Sequence, residues 1–405
     1  MKPGLLPTDT ACQRFGYGGA MILPGADLVK RAQALAPLLA EHAAEAERIR
    51  QPHDAVIAAL EASGIFELMV PRCYGGRELD LDTYLEVGLA LAEGDASMAW
   101  VTTFYIEHNW MLCQFPEAFQ RELFRNRSFV LAPGSVAMGG LAEPAEGGFR
   151  LKGHWGWATG VVHSDWVLVG GRVNGDQEAF DLRLFALPKS DVEVPDSWHV
   201  DGMCGTGSHD IVIQDQLVPN ERSVSFLDML SGNAPGAQLH DGPLYRTPMI
   251  PILALAASMP AVGQARAAVR GFQKRLQERV LYGTATRQSE KPAAQMRLAR
   301  AEIEIREAEG LLRSVTADVM ELRERATLQD RSRWVASLAY AVDRSKRIIG
   351  SISEASGASA HLLTHPLQRA KRDVETLSTH TIFDLDGRLE SYGRVLLGLE
   401  PNGPV

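Results

Sequence analysis

The stretch Pro366-Leu-Gln-Arg-Ala-Lys-Arg-Asp-Val-Glu-Thr-Leu-Ser-Thr-His380-Thr381 lies near the end of a chain of 405 residues. Its pattern predicts a helix, and on one continuous helix Asp373 and His380 would lie two turns apart on the same face. An imidazole held beside a ligand can donate a hydrogen bond or act as a general acid or base. The alternative interpretation of His380 is a histidine that packs between helices.

The composition is that of a folded globular protein and excludes several classes. Hydrophobic residues make up 45% of the chain, and its length predicts two or three packed subdomains. A net charge of −9 argues against a nucleic-acid-binding surface. We find no apolar run of membrane-spanning length and no pattern typical of a secretory signal. Cys12, Cys73, Cys113 and Cys204 have no CxxC spacing, so we expect reduced thiols in a cytoplasmic protein and no metal site.

The predicted elements run in the order helices, strands, helices, which makes the fold class α+β and mostly α. Residues 1–126 predict an N-terminal helical domain, in which Asp82 and Asp95 are candidate helix caps. Residues 127–235 contain short β-branched or alternating runs separated by turns, which predict a middle domain of antiparallel strands. Residues 236–405 predict a C-terminal four-helix bundle. Its predicted helices lie near residues 250–282, 290–325, 328–355 and 366–398.

Two tryptophans stand two residues apart in Gly153-His-Trp-Gly-Trp157-Ala-Thr159-Gly160, at a strand boundary of the middle domain. On a strand, Trp155 and Trp157 would point to the same face. One interpretation is a pair that packs on the sheet. The other is a platform for a flat, electron-poor ring, with Thr159 hydrogen-bonded to a ring heteroatom.

Together these motifs resemble the acyl-CoA dehydrogenase superfamily. Trp157-Ala158-Thr159 is similar to an element whose tryptophan packs on the flavin and whose threonine hydrogen-bonds near N5. Arg279-Val-Leu-Tyr282-Gly283 is similar to an element whose arginine contacts the flavin phosphates of a partner subunit. The alternative for Arg279 is a solvated arginine on a helix. The glycine-rich turn at residues 201–210 also resembles the superfamily, and it indicates the fold more than the site.

One residue departs from the dehydrogenase pattern. Dehydrogenases of the superfamily often place a glutamate eight residues after the Arg-Asp pair, where it removes the α-proton of the substrate. Eight residues after Asp373 this chain has Thr381, which cannot be a base at neutral pH. An acyl-CoA dehydrogenase with bound FAD would need another carboxylate, such as Glu375 or Glu354. The resemblance is closer to the two-component reduced-flavin-dependent monooxygenases, in which a histidine follows the pair as His380 does here.

That closer resemblance, to hydroxyphenylacetate hydroxylase, dibenzothiophene monooxygenase and indole oxygenase types, implies a mechanism. A separate flavin reductase supplies reduced FMN or FAD, which reacts with O2 to a C4a-(hydro)peroxyflavin and oxygenates an aromatic or heteroaromatic substrate. The resemblance assigns Thr159 to flavin N5 and His380 to the peroxide. It also implies a homotetramer, in which Arg279 reaches a neighbouring subunit. A flavin-binding protein that kept the fold without catalysis is the remaining alternative.

His108, on a predicted helix in Phe104-Tyr-Ile-Glu-His108-Asn-Trp110, is the candidate for the substrate side of the site. A lone histidine on a helix is more often a packed core residue. In aromatic hydroxylases of this fold, however, a histidine before an aromatic residue faces the substrate ring. The resemblance therefore implies that His108 polarises or deprotonates the substrate and that Trp110 and Ser135 line the same pocket, with Trp157 shaping its flavin side.

Overall fold

The computed structural model describes residues 25–174 and 181–405. Five helices come first: α1 (Gly25–Ile49), α2 (Asp54–Ser63), α3 (Leu81–Ala92), α4 (Ala96–Leu112) and α5 (Glu117–Leu123). Six strands follow: β1 (Gly134–Ala145), β2 (Gly148–Trp155), β3 (Trp166–Val173), β4 (Asp181–Pro188), β5 (Ile211–Pro219) and β6 (Ser223–Ser225). The remaining helices are α6 (Phe226–Ser231), α7 (Pro235–Leu239), α8 (Met249–Glu278), α9 (Pro292–Leu322), α10 (Leu328–Ser356), α11 (Pro366–Leu377) and α12 (Leu385–Leu396). This order confirms the predicted fold class.

Short polar side chains set the starts of the N-terminal helices. Asp95 caps α4 as predicted, because its carboxylate accepts a 2.9 Å hydrogen bond from the backbone N–H of Met98. The cap of α3 is Asp80, which accepts from the N–H of Leu81, and the predicted Asp82 lies inside the first turn. All 17 residues of α4 are buried, so this helix runs through the core of the domain.

The strands form one sheet in the order β5-β2-β1-β3-β4-β6. β1 and β2 form an antiparallel hairpin whose turn contains Gly147 at φ 78°, a left-handed conformation that suits glycine. β1 is parallel to β3, so the expectation of a purely antiparallel sheet was wrong for this pair. The sequence analysis missed β1 because the strand contains glycines and a register shift between Ser135 and Gly140.

The C-terminal bundle has three long helices and a fourth that is broken. The predicted helix over 366–398 is in fact α11 and α12, separated by residues 378–384. Within this break the backbone N–H of Phe383 donates to the His380 carbonyl, and Asp384 caps α12. Asp373 and His380 are therefore not on one continuous helix, and the predicted two-turn spacing was wrong.

α8 is the central helix of the bundle and packs against α3, α4, α9 and α10. By length and composition alone it could cross a membrane, a feature that the sequence analysis overlooked, but its apolar window is mostly buried inside the protein. Such burial is typical of the core helix of a folded domain. Cys113 and Cys204 are buried free thiols, and Cys12 lies outside the described residues.

Candidate active site

One face of α4 carries three rings at helical spacing. Trp100, Phe104 and His108 follow each other every four residues, with ring centroids 4.7 Å apart for the first pair and 5.5 Å apart for the second. His380, from the break between α11 and α12, meets this face: its ring lies 5.6 Å from Trp100 and 6.5 Å from Phe104. We call these four residues the aromatic cluster. It joins two predicted site histidines that are 272 residues apart in sequence.

A backbone hydrogen bond in the break determines which ring nitrogen of His380 carries the proton. Its Nδ1 accepts a 3.3 Å hydrogen bond from the backbone N–H of Ile382. Burial, with a smaller contribution from the nearby Arg388 charge, lowers the pKa of His380 to about 4, so the ring is neutral at neutral pH. A neutral imidazole whose Nδ1 is an acceptor carries its proton on Nε2. His380 therefore offers an Nε2–H donor, and its side chain remains partly exposed.

His108 has the opposite arrangement. Its Nδ1 lies 2.7 Å from the carbonyl oxygen of Ala132, and a carbonyl can only accept, so Nδ1 carries the proton. Burial lowers the pKa of His108 to about 4, and the ring is again neutral. Its Nε2 is therefore an acceptor, and Glu107 Oε2 lies 3.3 Å from it. The structure thus places a hydrogen-bond acceptor and a hydrogen-bond donor in contact with the same ring, that of Phe104.

A chain of hydroxyl groups connects the cluster to the middle domain. The indole N–H of Trp100 donates to Thr159 Oγ1 at 3.2 Å. Thr206 donates to the Met203 carbonyl, so Ser208 must donate to Thr206 and Thr159 must donate to Ser208. In this direction the hydroxyl proton of Thr159 is bound by Ser208 and is not available to a ligand. Its oxygen keeps one lone pair, which makes Thr159 an acceptor toward any ligand.

The two tryptophans of the middle domain do not share a face, so that prediction was wrong. β2 ends at Trp155, which is buried and donates its indole N–H to the Gly170 carbonyl at 2.7 Å. Trp157 follows the strand with φ 63°, a left-handed conformation that is unfavourable for a bulky residue. Its side chain is 72% exposed. An indole held open in a strained loop, two residues from Thr159, fits a flat ring that would stack on it.

The glycine-rich turn at residues 201–210 connects α11 to the middle domain. The backbone N–H of Met203 donates to the Asp373 carboxyl at 2.6 Å, across the boundary between the β-sheet and the bundle. A Cβ atom at Gly202 would lie 2.2 Å from the carbonyl oxygen of Arg372, so only glycine fits there. The sequence analysis assigned this turn to the fold more than to the site, and its contact with α11 positions the segment that carries His380.

Three other predicted site residues are not members of the aromatic cluster. Trp110 is two residues from His108 on α4, hence on the opposite face, and donates its N–H to the Leu244 carbonyl. Its predicted place in the pocket is corrected to a place in the core. Ser135 is buried at the start of β1, next to Gly134, where an added Cβ atom would lie 2.8 Å from His108 Nε2. Arg279, at the end of α8, donates to the Ser356 carbonyl at 3.0 Å, and its role toward a neighbouring subunit stays a prediction.

The structure provides no support for the carboxylates that a dehydrogenase would need. Glu375 is exposed and pairs with Lys371 at 3.6 Å, and Glu354 is exposed on α10. Thr381 is exposed as well. Among the described residues, no hydrogen bond or ion pair joins these three side chains to the aromatic cluster. The cluster instead contains Trp100 and Phe104, which the sequence analysis missed.

Comparison with known proteins places the chain in a family. Residues 255–385 match the model "Acyl-CoA dehydrogenase, C-terminal domain". A pigment production hydroxylase of Rhodococcus sp. (strain ATCC 21145) is 34% identical over 94% of this chain and 98% of that protein. The oxygenase component of an FADH2-dependent resorcinol hydroxylase of Rhizobium sp. (strain MTP-10005) is 30% identical over 95% and 97%. The crystal structure of 3-HSA hydroxylase from Rhodococcus sp. RHA1 has a TM-score of 0.88 at 30% identity, covering 93% of this chain and 98% of that one.

Proposed function

The chain belongs to the oxygenase components of the flavin-dependent monooxygenases, and we propose that it hydroxylates an aromatic substrate with O2 and a reduced flavin from a separate reductase. The observation that supports this proposal most strongly is the aromatic cluster, which holds two neutral histidines of opposite hydrogen-bonding character around Phe104. Such a site can accept a proton on one side and donate a hydrogen bond on the other.

The residues of the site fit a flavin. Trp157 presents an open indole face, and Thr159 presents a free acceptor beside it. Reduced FAD or FMN, when bound, supplies the electrons that activate O2 and allow one oxygen atom to be transferred to the substrate. A reduced flavin carries an N–H at N5, whereas an oxidised flavin has only a lone pair there. The acceptor character of Thr159 therefore suits the reduced form.

His380 would act on the flavin side of the site. Its Nε2–H can donate a hydrogen bond to an oxygen atom without placing a positive charge there, because the ring stays neutral. Trp100 lies edge-on to His380 and Phe383 lies 6.3 Å from it, so apolar rings surround the donor. These rings lower the local polarity around the donor, which strengthens its hydrogen bond.

His108 would act on the substrate side. Its Nε2 lone pair can take the proton of an acidic substrate group, and the Ala132 carbonyl that binds Nδ1–H holds the ring in the orientation that this requires. The buried position also excludes water from the substrate. Ser135, which follows the glycine beside His108, is kept as a proposed pocket residue.

Arg279 supports a proposal about assembly. It lies at the end of α8, where Val280 and Tyr282 expose apolar side chains beyond the helix. We place it at the flavin phosphates of a neighbouring subunit in a homotetramer. Light scattering of the purified protein tests the assembly, and Arg279→Ala should weaken flavin binding without changing the aromatic cluster. The free thiols of Cys113 and Cys204 fit the proposed location in the cytoplasm.

The function is tested by supplying enzymatically reduced FAD or FMN to the protein in oxygenated buffer with a panel of phenol, resorcinol and indole. We expect a hydroxylated product that contains one oxygen atom from labelled O2. Formation of an enoyl-CoA from an acyl-CoA without external reductant would instead identify a dehydrogenase. Tight flavin binding with no product from any aromatic compound, and only H2O2 released, would point to a flavin-binding protein without catalysis.

A further inference from the structure

Asp373 is a buried carboxyl group at the junction of α11 with the middle domain. It is 3% exposed, and it accepts a 2.6 Å hydrogen bond from the backbone N–H of Met203. The glycine-rich turn approaches α11 so closely that a Cβ atom at Gly202 would lie 2.2 Å from the Arg372 carbonyl oxygen and 2.4 Å from Thr376 Oγ1. The bundle and the turn are therefore in direct contact, and Asp373 forms a hydrogen bond across this contact.

Met203, the residue that Asp373 binds, has a backbone conformation that is unfavourable for its type. Its φ is 58°, in the left-handed region that residues with a Cβ atom rarely adopt. Met203 is buried, so without the Asp373 carboxyl group its N–H would lose its acceptor away from water, which costs free energy. The hydrogen bond therefore stabilises Met203 in a conformation that the chain would otherwise leave.

The carbonyl oxygen of Met203 is the end of the hydroxyl chain described above. It accepts from the Thr206 hydroxyl at 2.8 Å, from the Thr206 N–H at 3.1 Å and from the indole N–H of Trp198 at 3.1 Å. Because the Thr206 proton is bound there, Ser208 donates to Thr206 and Thr159 donates to Ser208. The direction of the whole chain is therefore set at the Met203 carbonyl.

The same turn also holds the backbone around Thr159. The N–H groups of the residues on both sides of it donate to carbonyls of the turn, Ala158 to His209 at 3.0 Å and Gly160 to Thr206 at 2.8 Å. A shift of the turn would thus reach both the hydroxyl group and the backbone of Thr159.

We propose that Asp373 is a positioning residue for the flavin: by binding the Met203 N–H, it fixes the direction of the hydroxyl chain and keeps Thr159 a hydrogen-bond acceptor. This inference rests on the proposed function and deepens it, since it identifies a residue outside the aromatic cluster that determines how the site binds flavin. When Met203 leaves the left-handed conformation, its carbonyl turns away from Thr206. The Thr206 hydroxyl can then donate to Ser208, and the Thr159 hydroxyl is free to donate to a ligand.

The charges around Asp373 add a pH dependence to this contact. The charged or titratable groups that face it among the described residues are Asp95 at the cap of α4, Glu47 on α1, Arg369 and Arg372 on α11, and Cys204 in the turn. Burial, and after it the negative charge of Asp95, raise the pKa of Asp373 to about 7. Above this pH the ionised carboxylate accepts more strongly than the neutral acid, so Met203 should be held more firmly.

Two indole N–H groups report on the two ends of this path in the flavin-free protein. Trp198 donates to the Met203 carbonyl at one end, and Trp100 donates to Thr159 at the other. Trp155, whose indole N–H donates to a carbonyl within the sheet, is an internal control. The experiment labels the indole nitrogens and records their N–H resonances by NMR.

Asp373→Leu should shift the Trp198 and Trp100 resonances and leave that of Trp155 in place, because only the first two lie on the path. Asp373→Asn should keep all three near their wild-type positions, since its amide oxygen can accept from the same backbone N–H. In a Ser208→Ala background Asp373→Leu should no longer shift the Trp100 resonance, because the path is then interrupted.

A pH titration tests the same path without any loss of packing. In the wild type the Trp198 and Trp100 resonances should move together with a midpoint at about pH 7, and this movement should vanish in Asp373→Asn. If Asp373→Leu does not fold, this comparison carries the test by itself. A Trp100 resonance that stays fixed while that of Trp198 titrates would then overturn the proposal.

Flavin binding tests the consequence for the site. In anaerobic titrations at one fixed pH, Asp373→Leu should lose about three- to fivefold of the wild-type preference for reduced over oxidised flavin. The double variant with Ser208→Ala should lose no more than Ser208→Ala alone, because both changes act on one hydrogen-bonded path. Gln120→Leu, which removes a buried side chain bound to the Cys113 and Phe115 carbonyls, is the matched control and should keep the preference.

Three further results would overturn the proposal. The first is an unchanged Trp100 resonance in folded Asp373→Leu, and the second is a sum of the two separate losses in the double variant. The third is a loss of preference in Asp373→Asn as large as in Asp373→Leu, since the acceptor would then be irrelevant. A wild type that binds neither redox form of FAD or FMN would instead reject the proposed function. The indole resonances, measured without flavin, would still decide whether Asp373 sets the hydrogen bonds of Thr159.

Discussion

His108 and His380 both contact the ring of Phe104, yet backbone hydrogen bonds fix their protons on different ring nitrogens. His108 is in the middle of a buried helix, where a carbonyl oxygen from a neighbouring segment holds its Nδ1–H. His380 is in a break between two helices, where a backbone N–H occupies its Nδ1. The first ring therefore presents a lone pair and the second presents an N–H. In each ring, the backbone group bound to Nδ1 decides whether Nε2 is a hydrogen-bond acceptor or a donor.

The largest expected effect on hydroxylation comes from removing the Nε2 acceptor of His108. His108→Asn keeps a polar side chain but has no basic nitrogen, so hydroxylation of phenol should fall about 10² to 10³-fold. Raising the pH toward the phenol pKa of about 10 should restore activity, because the substrate then arrives without its proton. Single-turnover product formation at several pH values measures this. A variant whose deficit does not shrink with pH would show that His108 only positions the ring.

The buried neutral state of His108 also makes a stability prediction. The folded pKa of about 4 lies below the unfolded value near 6.5, so stability is lost as the pH falls from 6.5 through 4. Relative to His108→Gln, the wild type should lose on the order of 3 kcal/mol of unfolding free energy over this window. Glu107 acts in the opposite sense, since its raised pKa makes it favour low pH. Urea titrations of both proteins between pH 4 and 7 measure the difference, and parallel curves would contradict it.

The fold was largely readable from the sequence because its elements differ in pattern. Helical periodicity and caps such as Asp95 located α4, and short alternating runs located β2, β3, β4 and β5 but not β1. The break after α11 was not readable, because residues 378–384 contain no proline or glycine. It exists through hydrogen bonds that form only locally in the folded chain, from Phe383 and Ile382 to His380.

The candidate site was only partly readable. His108, His380 and Thr159 were found through the family resemblance, and the structure brings Thr159 and His380 to Trp100 and brings His108 to Phe104. Trp100 was missed because α4 is buried on all sides, so hydrophobic periodicity cannot show which face meets the site. Its four-residue spacing from Phe104 and His108 was the available signal.

Removing the Nε2–H donor of His380 should reduce product formation less than removing the Nε2 acceptor of His108. His380→Ala deletes the Nε2–H but leaves the substrate side intact, so O2 consumption should continue while product per O2 falls about tenfold and H2O2 rises. Simultaneous assays of O2, product and H2O2 measure this coupling. His365→Ala, which removes a histidine at the start of α11 outside the cluster, is the control. If His380→Ala stays fully coupled, the donor role is wrong.

The smallest expected effect concerns the hydrogen bond between Thr159 and the flavin. As His108 accepts and His380 donates, the direction of the hydrogen bonds within the protein should decide that Thr159 accepts. Ser208→Ala removes the acceptor of the Thr159 proton and frees that O–H to donate. The wild type should prefer reduced flavin, whose N5–H donates, and the variant should lose about three- to fivefold of this preference, equivalent to about 1 kcal/mol. Anaerobic titrations with reduced and oxidised FAD and FMN measure the ratio. Ser164→Ala, which removes a buried hydroxyl bound to the Val161 carbonyl, should leave the ratio unchanged. Equal weakening of both redox forms by Ser208→Ala would mean that the hydroxyl chain supports the loop without selecting the flavin's redox state.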